Sequence, residues 1–126
     1  MKYAIWIVQI LLALAFIASG SMKLMTPVAD LAQQMSWVSV VPAWSVPIIG
    51  ILEAAGGLGL LLPWLTGIQP QLVRLAALGL MFVMIGAFVT HIAIGDAFGM
   101  VIPSIVLGLL AAFLAYARTS LLPLGR

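Results

Sequence analysis

Three ionisable side chains stand inside apolar runs, and they are the residues through which this chain could do chemistry. Glu53 lies within P-I-I-G-I-L-E-A-A-G-G-L-G-L-L-L-P, residues 47–63. Lys23 closes the run 5–24, and His91 lies near the end of the run 72–94. Laid side by side across a membrane as alternating up and down spans, these runs put all three groups in the same half. A carboxylate in hydrocarbon needs partners, and an ionisable side chain there marks a functional site by default. Desolvation would raise the pKa of such an acid and a neighbouring cation would lower it, so Glu53 is a candidate to give or take a proton. His91 is the natural proton partner, because an ordinary imidazole titrates near neutrality. Ser19 stands four residues before Lys23 and shares its helix face. Each group also has a plainer reading. Glu53 could fix helix register, Lys23 could snorkel to the membrane rim, and His91 could sit at the headgroup boundary.

Composition says what must position these residues. The chain has 126 residues, 65% hydrophobic and 6% charged, with a mean hydropathy of +1.31. Soluble domains carry about 25% charged residues, so lipid is the main solvent here. Four runs approach the roughly 20 residues that cross a bilayer: 4–24, 46–62, 72–94 and 101–117. In lipid such spans must be helices, since loose backbone would go unpaired. The expected fold is all-α: a four-helix antiparallel transmembrane bundle in one domain, 1–126.

The residues between spans 1 and 2 are too many for a structureless loop. Thr26-Pro27 reads as an N-cap followed by proline at the first helical position. Val28, Leu31, Ala32 and Met35 then share one face, and Asp30, Gln33 and Gln34 the other. The expectation is a short amphipathic helix over 27–36, lying on the membrane surface as a lid or as a passive interfacial segment. Trp37 and Trp44 would anchor its exit among the headgroups. In span 2, Gly50, Glu53, Ala54 and Gly57 make a small-residue face centred on the acid, which points it into the bundle. Pro63–Pro70 reads as a tight turn with Trp64 as a belt residue. Ser104, Gly108, Ala112 and Tyr116 form a packing ladder in span 4.

The charge pattern gives an orientation. Lys2, Arg74, Arg118 and Arg126 fall on one side and Lys23 on the other, so the positive-inside rule predicts both termini in the cytoplasm. The expected location is a multi-pass protein of the bacterial cytoplasmic (inner) membrane. The scattered charges make no nucleic-acid surface. The chain has no cysteine, which excludes disulfides, thiol chemistry and Cys-ligated metals within it. One His and one Glu fall short of a catalytic zinc set, and Asp96 is expected in an exposed loop, so no metal is assigned. The M-x-x-M pairs Met22/Met25 and Met81/Met84 read as apolar filler before copper ligands. There is no phosphate loop, nucleophile elbow or H-E-x-x-H, and no catalytic residue is assigned. Ala18-Ser19-Gly20 has cleavage-like spacing, but the core before it is too long for a signal peptide.

Three stretches carry a family resemblance: F-I-A-S-G-S-M-K-L (16–24), I-G-I-L-E-A-A-G-G-L-G-L-L-L-P (49–63) and M-I-G-A-F-V-T-H (84–91). With T-P-V-A-D-L-A-Q-Q-M-S-W between the first two, the chain resembles the DoxX-like family of small four-span membrane proteins. The resemblance implies a four-helix bundle with recurrent polar positions at Lys23, Glu53 and His91. Relatives in that family include a subunit of thiosulfate:quinone oxidoreductase, and distant ones act as assembly factors or chaperones. The expected function is a small accessory subunit that binds a quinone, a lipid or a partner helix at Glu53, Lys23, His91 and Ser19. The alternatives are a quinone-coupled oxidoreductase subunit and a membrane chaperone. Expected partners are the lipid bilayer, a membrane or redox subunit, and a second copy as a homodimer. With no redox-active residue in the chain, electrons would come from a bound quinone or a partner.

Overall fold

A computed structural model describes residues 2–67 and 71–121. Four long apolar helices cross side by side: α1 (Lys2–Met25), α3 (Ser45–Thr66), α4 (Leu72–Ala93) and α5 (Phe98–Tyr116), the last prolonged by a π-helical turn over Ala117–Leu121. Between α1 and α3 lie the short α2 (Val28–Gln34) and a 3-10 turn over Ser36–Ser39. Three of the spans, α1, α3 and α5, are longer than the sequence pattern suggests, while α4 ends one residue earlier than expected. α3 runs on through Pro63 to Thr66 and stops where Gly67 takes a left-handed φ of 73°, its N–H bonded to the Pro63 carbonyl. A proline here removes one ladder bond near the helix end, and that loss does not stop the last turn. The first part of the expected turn 63–70 is therefore helical. Residues 68–70, Arg126 and the side chain of Trp64 lie outside what is described.

Ordinary residues explain the helices. The spans are rich in Leu, Ile, Ala and Met, and their backbone groups pair internally, as lipid requires. Residues exposed along them are mostly large and apolar, among them Leu11, Leu14, Ile51, Phe82 and Leu109, so the outer surface suits lipid. The principal helix pairs are α1 with α3 and α4 with α5, joined through α3 and α4, while α1 meets α5 over a shorter stretch. Phe16, Leu12 and Ile5 of α1, Leu60 of α3, Leu80 of α4 and Leu114 of α5 anchor the main core. A smaller core beneath α2 gathers Leu31, Val38 and Val46.

The α1–α3 seam is made by glycine. A Cβ on Gly20 would lie 2.5 Å from the backbone of both Ala54 and Gly50, and one on Gly57 would lie 2.8 Å from the Ala13 carbonyl. These are backbone collisions that no side-chain adjustment relieves. The same close approach brings Ser19 and Lys23 within reach of Glu53.

At the end of the bundle where α1 begins, a polar link joins the first and last spans. Gln9 donates to the Leu60 carbonyl at 2.7 Å, and Arg118 Nε donates to Gln9 Oε1 at 2.8 Å. The Arg118 guanidinium stacks 4.1 Å from the centre of the Trp6 ring. Arg118, counted in the sequence among the charges on one side of the membrane, is thus buried inside the bundle, with the Trp6 ring as its platform.

Gly20→Ala should destabilise the fold by about 1–3 kcal/mol through overpacking against backbone. Gly79, where a Cβ would meet nothing, should accept alanine with a gain of up to about 1 kcal/mol. Equilibrium unfolding in mixed micelles checks both. Equal stability of the two variants would remove the seam from the account of the fold.

Candidate functional site

The site is built where α1 ends and α3 begins. Lys23 Nζ lies 2.6 Å from Glu53 Oε1 and 2.7 Å from Ser19 Oγ, and Ser19 Oγ donates to the same Glu53 oxygen at 3.2 Å. The three make a closed triangle with both charges buried: Lys23 is 7% and Glu53 4% exposed. The four-residue spacing on α1 places Ser19 beneath Lys23, and Gly50 clears the way for α1 to approach. The reading of Lys23 as a snorkelling anchor therefore gives way to the inward one. Removing either partner would leave an uncompensated charge in a low-dielectric interior, which typically costs 3–5 kcal/mol.

His91 is not part of this triangle. Its Nδ1 lies 2.5 Å from Asp96 Oδ2, and Ser36 Oγ donates to the same carboxylate at 2.7 and 2.8 Å from its two oxygens. Asp96 was expected in an exposed loop, and it does lie in the α4–α5 loop, but half-buried. Gly95, with φ 76°, turns the chain back after α4 so that Asp96 folds over onto His91. The carboxylate ties the segment after α2 to the α4–α5 turn. Both partners hold it below the ordinary carboxylate range, His91 most strongly and Ser36 next.

The Ser19–Lys23–Glu53 triangle and His91 line a common cavity of about 520 Å³. Ser19, Lys23 and Glu53 line it from α1 and α3. Ala87, Thr90 and His91 line it from α4, while Met100, Pro103 and Ser104 do so from α5. Met35, Trp37 and Val41 line it from the segment between α1 and α3. Most of its wall is apolar, the mixture typical of small-molecule sites. α2 begins one residue later than expected, with Pro27 and not Thr26 at the N-cap and no side-chain cap bond. Its inward and outward faces are as the spacing indicates, with Leu31 buried and Asp30, Gln33 and Gln34 exposed. Trp37 is half-buried against the cavity, its ring centre 6.0 Å from Lys23 Nζ, whereas Trp44 is exposed.

Glu53, Lys23, Ser19 and His91, the candidates named from the sequence, all line this cavity, while Asp96, Ser36 and Trp37 were not named as their neighbours. The Gly95-Asp96 pair just past a helix end was the available signal, since glycine there permits a reversal. Nothing in the local sequence points to Ser36. Among the described residues no three His, Cys, Asp or Glu side chains gather as a metal set.

A depressed carboxylate contributes stability above its unfolded pKa, and that contribution is lost as pH falls through the lower folded value. The Ser36–Asp96–His91 link should therefore persist through mildly acidic pH and fail only below about pH 4. His91 is the single histidine of the chain, so its ring nitrogen NMR signals report without ambiguity. They should show Nδ1 engaged in the wild type, a change in step with Asp96 protonation, and loss of that engagement in Asp96→Asn. An identical ring spectrum in Asp96→Asn would refute the link.

No curated protein and no solved structure matches this chain significantly. The profile described as the DoxX-like family matches residues 7–114, a stretch that takes in the seam, the Lys23–Glu53 pair and the His91–Asp96 turn. The chain is a member of the DoxX-like family.

Proposed function

We propose that this protein is a small accessory membrane subunit that holds an amphipathic molecule, a quinone or a lipid, in the cavity beside Lys23 and Glu53. The observation that carries this reading is a cavity of about 520 Å³ with apolar walls and a buried ion pair set into one of them. Its volume lies within the range of small-molecule pockets, about 300–1,000 Å³. A partner transmembrane helix, with side chains about 10 Å across and 30 Å long, is too large for it. Lys23, Glu53 and Ser19 would fix the head of the ligand. His91, steadied by Asp96, would offer its other ring nitrogen, and Met35, Trp37 and Val41 would act as a lid. Lys2 and Arg74 lie at the end of the bundle opposite the cavity. The positive-inside rule then puts that end and both termini in the cytoplasm and the cavity in the outer half of the bacterial inner membrane.

Electrons are not assigned to the chain itself. If the ligand is a quinone, the donor belongs to a partner subunit, and the protein's own part is to bind and orient.

Purification from the native membrane in mild detergent, alongside Glu53→Gln, tests the reading. Mass spectrometry should find a quinone or one lipid species with the wild-type protein and at least about tenfold less of it with the variant. The same lipid background in both proteins would make Glu53 a packing residue and end the ligand-site reading.

A further inference from the structure

The hydrogen-bond inventory of the ion pair is incomplete in a specific way. A lysine ammonium carries three N–H donors. One goes to Glu53 Oε1 and one to Ser19 Oγ. The third meets no oxygen of the described residues, and the Trp37 ring centre lies 6.0 Å away. Glu53 shows the converse. Both of its donors, Lys23 and Ser19, converge on Oε1, and Oε2 takes no hydrogen bond from any described residue. Nor is Oε2 sealed in the packing, since it is not among the buried polar atoms shut away from any partner. A spare donor and a spare acceptor therefore stand side by side on two buried residues that line the cavity.

We infer that the cavity selects a neutral head bearing a hydroxyl group, which donates to Glu53 Oε2 and accepts from Lys23. This rests on the cavity being the ligand site, and it narrows what that ligand is. A hydroxyl is the smallest group that donates and accepts through one atom, as the adjacent vacancies require. Charge points the same way. Lys23 and Glu53 already cancel, and an anionic head would draw Lys23 from Glu53 and leave a carboxylate uncompensated in hydrocarbon. A cationic head would do the reverse to Lys23. On the α4 side His91 is engaged by Asp96, so no unmatched cation is offered there either. Phosphate-headed lipids are therefore disfavoured. An oxidised quinone presents only acceptors, which would use Lys23 and set a carbonyl against Oε2. A quinol satisfies both atoms, and so does an alcohol-headed lipid.

The test uses the full chain in phosphatidylcholine nanodiscs and four probes: para-nonylphenol, its methyl ether, para-nonylbenzoate and dodecanol. Binding is read by tryptophan fluorescence, with Trp37→Phe identifying the cavity component. The phenol should bind about tenfold or more tightly than the ether, the expected effect of one hydrogen bond to a charged group, and more tightly than the benzoate. In Glu53→Gln the order should invert, with the benzoate tightest, because Lys23 is then an unmatched cation. If that variant does not fold, the wild-type ranking decides alone. Dodecanol binding like the phenol would support an alcohol-headed lipid as the natural source, and selective binding of the phenol would support a quinol. Equal affinity for phenol and ether, or preference for the benzoate in the wild type, would overturn the hydroxyl reading while leaving the cavity in place. No binding by any probe would remove both.

Discussion

A carboxylate carried into hydrocarbon must be matched by a cation held at contact, and in this protein that requirement governs the packing of half the bundle. Glu53 meets Lys23 at 2.6 Å only because α1 and α3 approach until their backbones touch. The approach needs Gly20, Gly50 and Gly57, since a methyl group at any of them collides with the facing helix. Small residues are the usual means of close packing in membranes, where helices gain no hydrophobic advantage by meeting each other rather than lipid. Here the seam has a second effect. It holds two buried charges in register, and the pairing in turn makes separation of the helices costly.

The remaining helices do not close over the pair. At the end where α1 begins and α5 finishes, the two helices meet and are joined through Gln9 and Arg118. At the other end, Ser19 and Lys23 of α1 and Met100 and Ser104 of α5 face a shared cavity. The bundle is tied at one end and hollow at the other. The segment between α1 and α3 roofs the hollow end, fastened to the α4–α5 turn through Asp96.

Much of this was legible in the sequence because charge cannot hide in an apolar run. Glu53 and Lys23 announce themselves, the four-residue step places Ser19 beside Lys23, and glycines flanking the acid turn it inward. The inward face of α2 followed from ordinary helical spacing. What failed to show depends on chain reversals and on uncharged polar groups. His91 finds Asp96 through a left-handed glycine one residue earlier, and no periodicity encodes that. Arg118 entered the sequence reading only as one of the charges that set the orientation. Its burial follows from Gln9, a neutral amide that the apolar context of α1 concealed. The second span was underestimated because Pro63 was read as the start of a turn, whereas it lies within α3.

The link between Gln9 and Arg118 also imposes an order on biogenesis. The two residues are separated by nearly the whole chain, 109 positions apart, and Arg118 belongs to the turn that closes the last span. As the polypeptide enters the membrane from its N-terminus, the Gln9 amide arrives first and its oxygen has no guanidinium to meet. It can reach the Leu60 carbonyl once α3 is inserted, but its second partner comes only with the final helix. Polar groups left unpaired in lipid are unfavourable, so a partly inserted chain carries a built-in incentive to recruit its own C-terminal segment. Arrival of the last helix thus acts as a latch on completion, one that a prematurely terminated chain cannot engage.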